Sequence, residues 1–158
     1  MSNIGIGRSG GNENVKAINF LSNFMKIEWK DEYSVGIKEI DDQHKYFISL
    51  LNDLYNAIMA GKSRKELKDL FSYLADYAEK HFATEEKYFD EFNYEGAAEH
   101  KLKHQEMRDE IEKIKNMDDG KEIDFYGNIV YFLKNWLEEH LAEMDQKYEK
   151  CFAEHGLK

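Results

Sequence analysis

The 158-residue chain carries a formal charge of −10, with 34% charged and 42% hydrophobic residues, a balance that fits one folded domain with a substantial core. That acidity argues against a nucleic-acid partner, whose phosphates would be repelled, and no apolar run approaches the ~18 residues of a membrane-spanning helix. A single cysteine, Cys151, excludes an internal disulfide and, with no secretory leader at the N-terminus, points to a reducing, cytoplasmic setting.

Residues 1–24 read as a flexible N-terminal extension, rich in Gly, Asn and Ser over residues 1–14. Val15, Ile18, Leu21 and Met25 are spaced either for a short docking helix or for a linker. A protein partner is possible through this extension. The folded domain is expected over residues 25–158.

From residue 41 onward the pattern is helical, and with proline absent nothing interrupts it. The first segment runs from about Asp42 to Ala60, with Asp41 as candidate N-cap and Gly61 as stop. Its inward stripe is His44, Phe47, Ile48, Leu51, Leu54, Tyr55 and Ile58. The second opens on Ser63 and Glu66, the signature of a capping box, and continues to about Phe92. Its stripe runs Leu67, Leu70, Phe71, Leu74, Ala78, His81, Glu85, Phe89 and Phe92. The third, from about Glu95 to Met117, aligns Ala97, His100, His104, Met107, Ile111 and Ile114. The fourth, from about Phe125 to Glu154, aligns Ile129, Leu133, Trp136, His140, Met144, Tyr148 and Phe152. Short connections make successive helices antiparallel, so the expected fold is all-α, an up-down four-helix bundle.

Histidine interrupts every one of these stripes, and in the second a glutamate does so as well. An unpaired buried carboxylate costs several kcal/mol or takes up a proton, so four such interruptions need a common cause. The helical rise puts them at one height. From His44 the chain climbs roughly 24 Å to Ala60, and from Arg64 it descends roughly 26 Å to His81. From His104 to Met117 is roughly 20 Å, and from Phe125 to His140 roughly 22 Å. The hairpin between Glu85 and His100 closes with nearly equal arms. Five histidines therefore meet in one layer, a pattern that points to a metal site. His155 falls outside it and reads as a surface residue favoured by the helix dipole.

One carboxylate cannot balance two metal ions, so a further anion should accompany Glu85. Glu138, Glu139, Glu143 and Asp145 all lie close to His140, and wheel geometry favours none of them. Asp145 sits about 140° around the axis from His140 and becomes a ligand only if the helix loosens there, as a π-bulge allows.

The motifs are specific at this point. Trp29, "VGIKEIDDQH" at 35–44, "HFATEE" at 81–86, "HKLKH" at 100–104 and "WLEEHLAEMDQKY" at 136–148 resemble the hemerythrins, and most closely the bacterial hemerythrin group. The resemblance covers about residues 25–150. It implies a non-haem di-iron centre: His100, His104 and His140 on one iron, His44 and His81 on the other, Glu85 and Asp145 bridging them with an oxo or hydroxo group. Six ligands saturate the first iron and leave the second one position short, where dioxygen fits. Phe47 and Ile48, one turn after His44, and Trp136 and Leu137, one turn before His140, are the expected walls of that dioxygen pocket. Phe89 stands where relatives commonly carry methionine, a change expected to act on the pocket wall or on the iron's reactivity.

The function so implied is reversible oxygen binding for storage, delivery or sensing, without catalysis. A di-iron oxidase, peroxidase or nitric-oxide-reducing enzyme fits less well. The stripes hold no Glu-x-x-His pair and no further acid or base to break an O–O bond. A sensing or interaction module would rest on residues 1–26. A structural zinc site is disfavoured because zinc prefers four ligands, often with thiolate, whereas seven N/O ligands suit two six-coordinate ions.

Overall fold

In the computed structural model, which describes residues 26–117 and 122–158, four long helices form along the stripes. They are α1 (Lys38–Met59), α2 (Arg64–Glu91), α3 (Ala97–Asn116) and α4 (Glu122–Glu139), with no strand among the described residues. Contact between the two ends of sequence shows the antiparallel order: His44 near the start of α1 meets His81 near the end of α2, and His100 at the start of α3 meets His140 just past α4. The docking helix or linker expected of Val15, Ile18, Leu21 and Met25, and the partner role given to the extension, lie outside the described residues.

The start of α1 departs from expectation. Asp41 does not cap it; the helix begins at Lys38 behind an extended Ile37 that offers no side-chain cap. The Asp41 carboxylate instead reaches back, accepting from Ser34 Oγ at 2.6 Å and from the Val35 N–H at 2.9 Å. It thereby fastens a strap, residues 26–37, that periodicity does not reveal. This strap buries Ile27, Tyr33, Val35 and Ile37. The Asn52 side chain grips the backbone of Ile27 at both its N–H (3.2 Å) and its carbonyl (2.9 Å).

Between α1 and α2 the chain turns at Gly61, whose φ of +67° suits a residue without Cβ. Ser63 and Glu66 then form the reciprocal capping box expected of them. Replacing Ser63 by alanine is expected to lower stability by about 1 kcal/mol, read as a drop of roughly 2–4 °C in thermal unfolding. An unchanged melting temperature would show that the cap contributes nothing. The α2–α3 turn passes through Asn93 at φ 49°, a left-handed conformation that asparagine tolerates better than most residues.

The fourth rod is not one regular helix. After α4 come a π turn (His140–Met144), a 3₁₀ turn (Asp145–Tyr148) and α5 (Glu149–Glu154). Asp145 donates its N–H to the carbonyl of His140, five residues back. This is the loosening on which Asp145's inward position depends.

Two apolar clusters fill the bundle. The larger includes Phe47, Leu51, Leu54, Phe71, Leu74, Val130 and Leu133. The smaller comprises Val35, Ile37, Ile40, Phe89, Tyr148 and Phe152. On α1, α2 and the fourth rod the buried polar residues fall between these two sets, so the polar layer is closed by hydrocarbon on both sides. No helix among the described residues is long and apolar enough to cross a membrane.

Candidate metal centre

All seven side chains expected as ligands are buried: His44, His81, Glu85, His100, His104, His140 and Asp145. The structure gathers them into two groups whose ligand atoms lie within 4.8 Å of one another. One is Glu85, His100, His104 and His140; the other is His44, His81, Glu85 and Asp145. Glu85 belongs to both. Asp145 spans them too, with Oδ1 at 3.1 Å from His100 Nε2 and 3.0 Å from His140 Nε2, and Oδ2 at 3.0 Å from His44 Nε2.

These separations carry chemical meaning. Across the layer His44 Nε2 faces His81 Nε2 at 3.0 Å, and His100 Nε2 faces His140 Nε2 at 3.0 Å. Ligand atoms on adjacent corners of an octahedron with bonds of about 2.1 Å stand about 3.0 Å apart.

The outer hydrogen bonds fix where the lone pairs point. Thr84 Oγ1 donates to the Lys80 carbonyl at 3.0 Å, and Gln43 Nε2 donates to Thr84 Oγ1 at 3.3 Å. Gln43 therefore presents its carbonyl Oε1 to His81, 2.7 Å away, where it accepts the Nδ1–H. His104 Nδ1 likewise donates to Glu86 Oε1 at 2.9 Å. Arg108 steadies that carboxylate while gripping Glu79 with two more hydrogen bonds. With the proton on Nδ1, each neutral ring aims a bare Nε2 lone pair inward. His104 Nε2 lies 3.0 Å from Glu85 Oε2, and His81 Nε2 lies 3.2 Å from Glu85 Oε1. Two acceptors at such distances repel unless a cation sits between them. Glu85 Oε2, His104 Nε2 and both Asp145 oxygens have no hydrogen-bond partner although they are buried. The donor set thus fits hard, nitrogen- and oxygen-preferring metal ions held with fixed histidine tautomers.

Protonation reflects the same demand. Burial disfavours charge on His44 and His100, yet the adjoining carboxylates of Asp145 and Glu85 outweigh it and lift both to about 9. His81, by contrast, is lowered by its burial. Burial alone would push Glu85 and Asp145 up, but the surrounding imidazoles hold both carboxyls well below their ordinary range. Protons on His44 and His100 are the cations left to a metal-free layer.

Beside the second group lies a cavity of about 10 Å³, lined by His44, Phe47, His81, Phe82, Trp136, Leu137, His140, Leu141 and Asp145. It is on the scale of one very small molecule. Phe47, Trp136 and Leu137 line it. Ile48 does not; it is buried in the larger core cluster, and Phe82 and Leu141 complete the wall. Phe89 is not a wall either. It packs on the far side, against His100 at 4.8 Å between ring centroids and against Tyr148 at 5.5 Å. His155 is exposed as expected, stacked on Phe92.

Sequence reasoning missed several participants. Gln43, Glu86 and Arg108 look like ordinary surface residues, and nothing in their spacing marks them. Tyr148 falls on an apolar stripe by its spacing, yet its hydroxyl donates to Glu85 Oε1 at 2.5 Å. Deep burial, with the carboxylates of Asp145 and Glu85 beside it, holds that phenol well above its ordinary range, so it stays a donor.

Fold and site together define a helical bundle with a buried, carboxylate-linked pair of clusters suited to metal ions. The family model described as "Hemerythrin HHE cation binding domain" matches residues 35–151, and the chain belongs to the hemerythrin family. It is 32% identical over 126 residues to bacteriohemerythrin of Clostridium acetobutylicum, covering 76% of this chain and 96% of that protein. It is 25% identical over 122 residues to bacteriohemerythrin of Methylococcus capsulatus, covering 77% and 92%. Among solved structures, wild-type hemerythrin aligns with a TM-score of 0.72 at 23% identity, over 82% of this chain and 99% of that one. That likeness bears on the fold.

Proposed function

We propose that residues 25–158 form a di-iron domain that binds dioxygen reversibly, serving storage, delivery or sensing. The observation that carries this reading is the shared pair of carboxylates, Glu85 and Asp145, set between two histidine groups beside a cavity too small for an organic substrate. His100, His104 and His140 would hold one iron and His44 and His81 the other, with Glu85 and Asp145 common to both. Held there, a pair of ferrous ions would supply the two electrons needed to bind dioxygen reversibly. The chain supplies everything else. Gln43 and Glu86 keep His81 and His104 in the tautomer that directs Nε2 inward. Tyr148 keeps a proton on its hydroxyl and orients Glu85. Phe47, Phe82, Trp136, Leu137 and Leu141 exclude water from the cavity, and half-buried Trp136 stacks on His140 with ring centroids 4.3 Å apart.

Binding is favoured over turnover because, among the described residues, no acid or base beyond the ligands themselves lines the cavity. A cytoplasmic setting belongs to the same proposal and is supported by the free thiol of Cys151. The test is an optical one. Anaerobic iron-loaded protein should develop a visible absorption band on exposure to air and lose it under vacuum through repeated cycles. Irreversible oxidation in the first cycle, with turnover of an added reductant or substrate, would overturn the proposal in favour of an oxidase. Filling the cavity with Phe47→Trp should leave iron content unchanged and slow oxygen uptake by on the order of tenfold, the kinetic counterpart of overpacking a tight space. Uptake at the unaltered rate in stopped-flow mixing would place the binding site elsewhere.

A further inference from the structure

We propose that Gln146, anchored through Ser34 and Asp41, is a positioning residue that holds the π turn open and so keeps Asp145 available to the second metal ion. The inference rests on the two-ion reading above. In a regular helix the N–H of Asp145 would go to the carbonyl of Leu141; here it goes to His140 instead. The carbonyl of Leu141 thereby loses that donor, and the side chain of Gln146 supplies one, with Nε2 at 3.3 Å. An amide nitrogen carries two hydrogens. The second reaches the carbonyl of Ser34 at 3.2 Å.

Ser34 is itself held. Its hydroxyl donates to Asp41 Oδ2 at 2.6 Å, the neighbouring Val35 N–H donates to Asp41 Oδ1 at 2.9 Å, and the Gly36 N–H donates to Ser34 Oγ at 3.1 Å. Asp41 sits in the first turn of α1, one turn before His44. One continuous chain of hydrogen bonds therefore runs from the base of α1, through the strap, to the π turn. It ties the helix that carries His44 to the segment that carries Asp145. This gives Asp41, which caps nothing, a use, and it explains how a segment with neither Pro nor Gly stays loosened.

The two ions should depend on this bridge unequally. If Asp145 swings away, the three-histidine group keeps His100, His104, His140 and Glu85. The other keeps only His44, His81 and Glu85. Groups that orient metal ligands typically change affinity by about 10- to 100-fold when removed.

Metal-free wild-type protein and the Gln146→Leu variant would be titrated anaerobically with ferrous ion by calorimetry. Wild type should take two ions. Gln146→Leu should take the first with wild-type affinity and the second about 10- to 100-fold more weakly. Gln146→Lys, whose ammonium can still donate to both carbonyls, should restore much of the loss. Asp41→Asn, which removes one acceptor at the far end, should give a milder version of the same split. Two ions bound by Gln146→Leu with unaltered affinities would overturn the inference. So would equal weakening of both ions, or a fall in the melting temperature of the metal-free form with no split, because a merely structural residue would behave that way. Failure of the wild type to take two ions is a separate result and would instead remove the di-iron reading.

Discussion

Replacing Glu85 by glutamine should abolish paired metal binding, leaving fewer than one tightly held ion per chain. Glu85 is the residue common to both groups, and its oxygens lie 3.0 to 3.7 Å from the Nε2 atoms of His44, His81, His100 and His104. The amide keeps the shape and removes the charge that offsets two cations, and its nitrogen cannot serve as a ligand. In the metal-free layer the same carboxylate is the partner of the protonated imidazoles of His44 and His100. Removing one partner of a buried ion pair is destabilising, so the metal-free variant should melt below metal-free wild type. Metal analysis and thermal unfolding of the two apo proteins test both halves. Retention of two ions by Glu85→Gln would contradict the assignment of this side chain as the bridge.

Removing the metal from the wild type should lower its melting temperature substantially. Each ion held at about a thousand times its dissociation constant contributes about 4 kcal/mol. For a chain of this size two such ions correspond to roughly 20 °C. The loss should grow with pH. His44 and His100 have pKa values raised to about 9 in the folded metal-free layer, against about 6.5 in the unfolded chain. A raised folded pKa contributes stability that is fully present below about 6.5 and disappears as pH climbs through about 9. Metal-free protein should therefore be most stable in mild acid and lose on the order of several kcal/mol by pH 10, as His44 and His100 shed the protons that neutralise Glu85 and Asp145. Iron-loaded protein should lack this slope, because the cations have displaced the protons. Loading near neutral pH should accordingly release protons, measurable in weakly buffered solution. Identical pH–stability curves with and without metal would show that the two states share one charge arrangement, contrary to the geometry.

The parts of the centre readable from sequence were those that obey helical periodicity. His44, His81, Glu85, His100, His104 and His140 each occupy an inward position, and counting the rise along three hairpins brings them to one level. Asp145 breaks that rule. Periodicity puts it away from His140, and no Pro or Gly marks the turn that brings it back; resemblance to a family pointed to it where spacing did not. The strap was invisible for a related reason. Tyr33, Val35 and Ile37 are buried at alternate positions in a segment too short to declare a period, so the generic preference of aspartate for N-caps misplaced Asp41. Residues that act by crossing between helices left no mark at all. Arg108 meets Glu79 and Glu86 from another helix, and Gln43 meets His81 the same way. Such pairs are set by how helices pack, which one-dimensional spacing does not encode. The cavity wall shows the limit of counting turns: Ile48 and Phe47 are adjacent in the chain, but only Phe47 faces the cavity.

Under the proposed function, seven side chains from four helical segments enclose two iron ions toward the end of the bundle where α1 begins. Anomalous diffraction at the iron absorption edge, from crystals of protein loaded anaerobically with ferrous ion, tests it most directly. Two peaks are expected. One should lie among His100, His104 and His140, the other beside His44 and His81, each within bonding distance of Glu85 and Asp145. A single peak, none, or peaks on the acidic outer surface would contradict it.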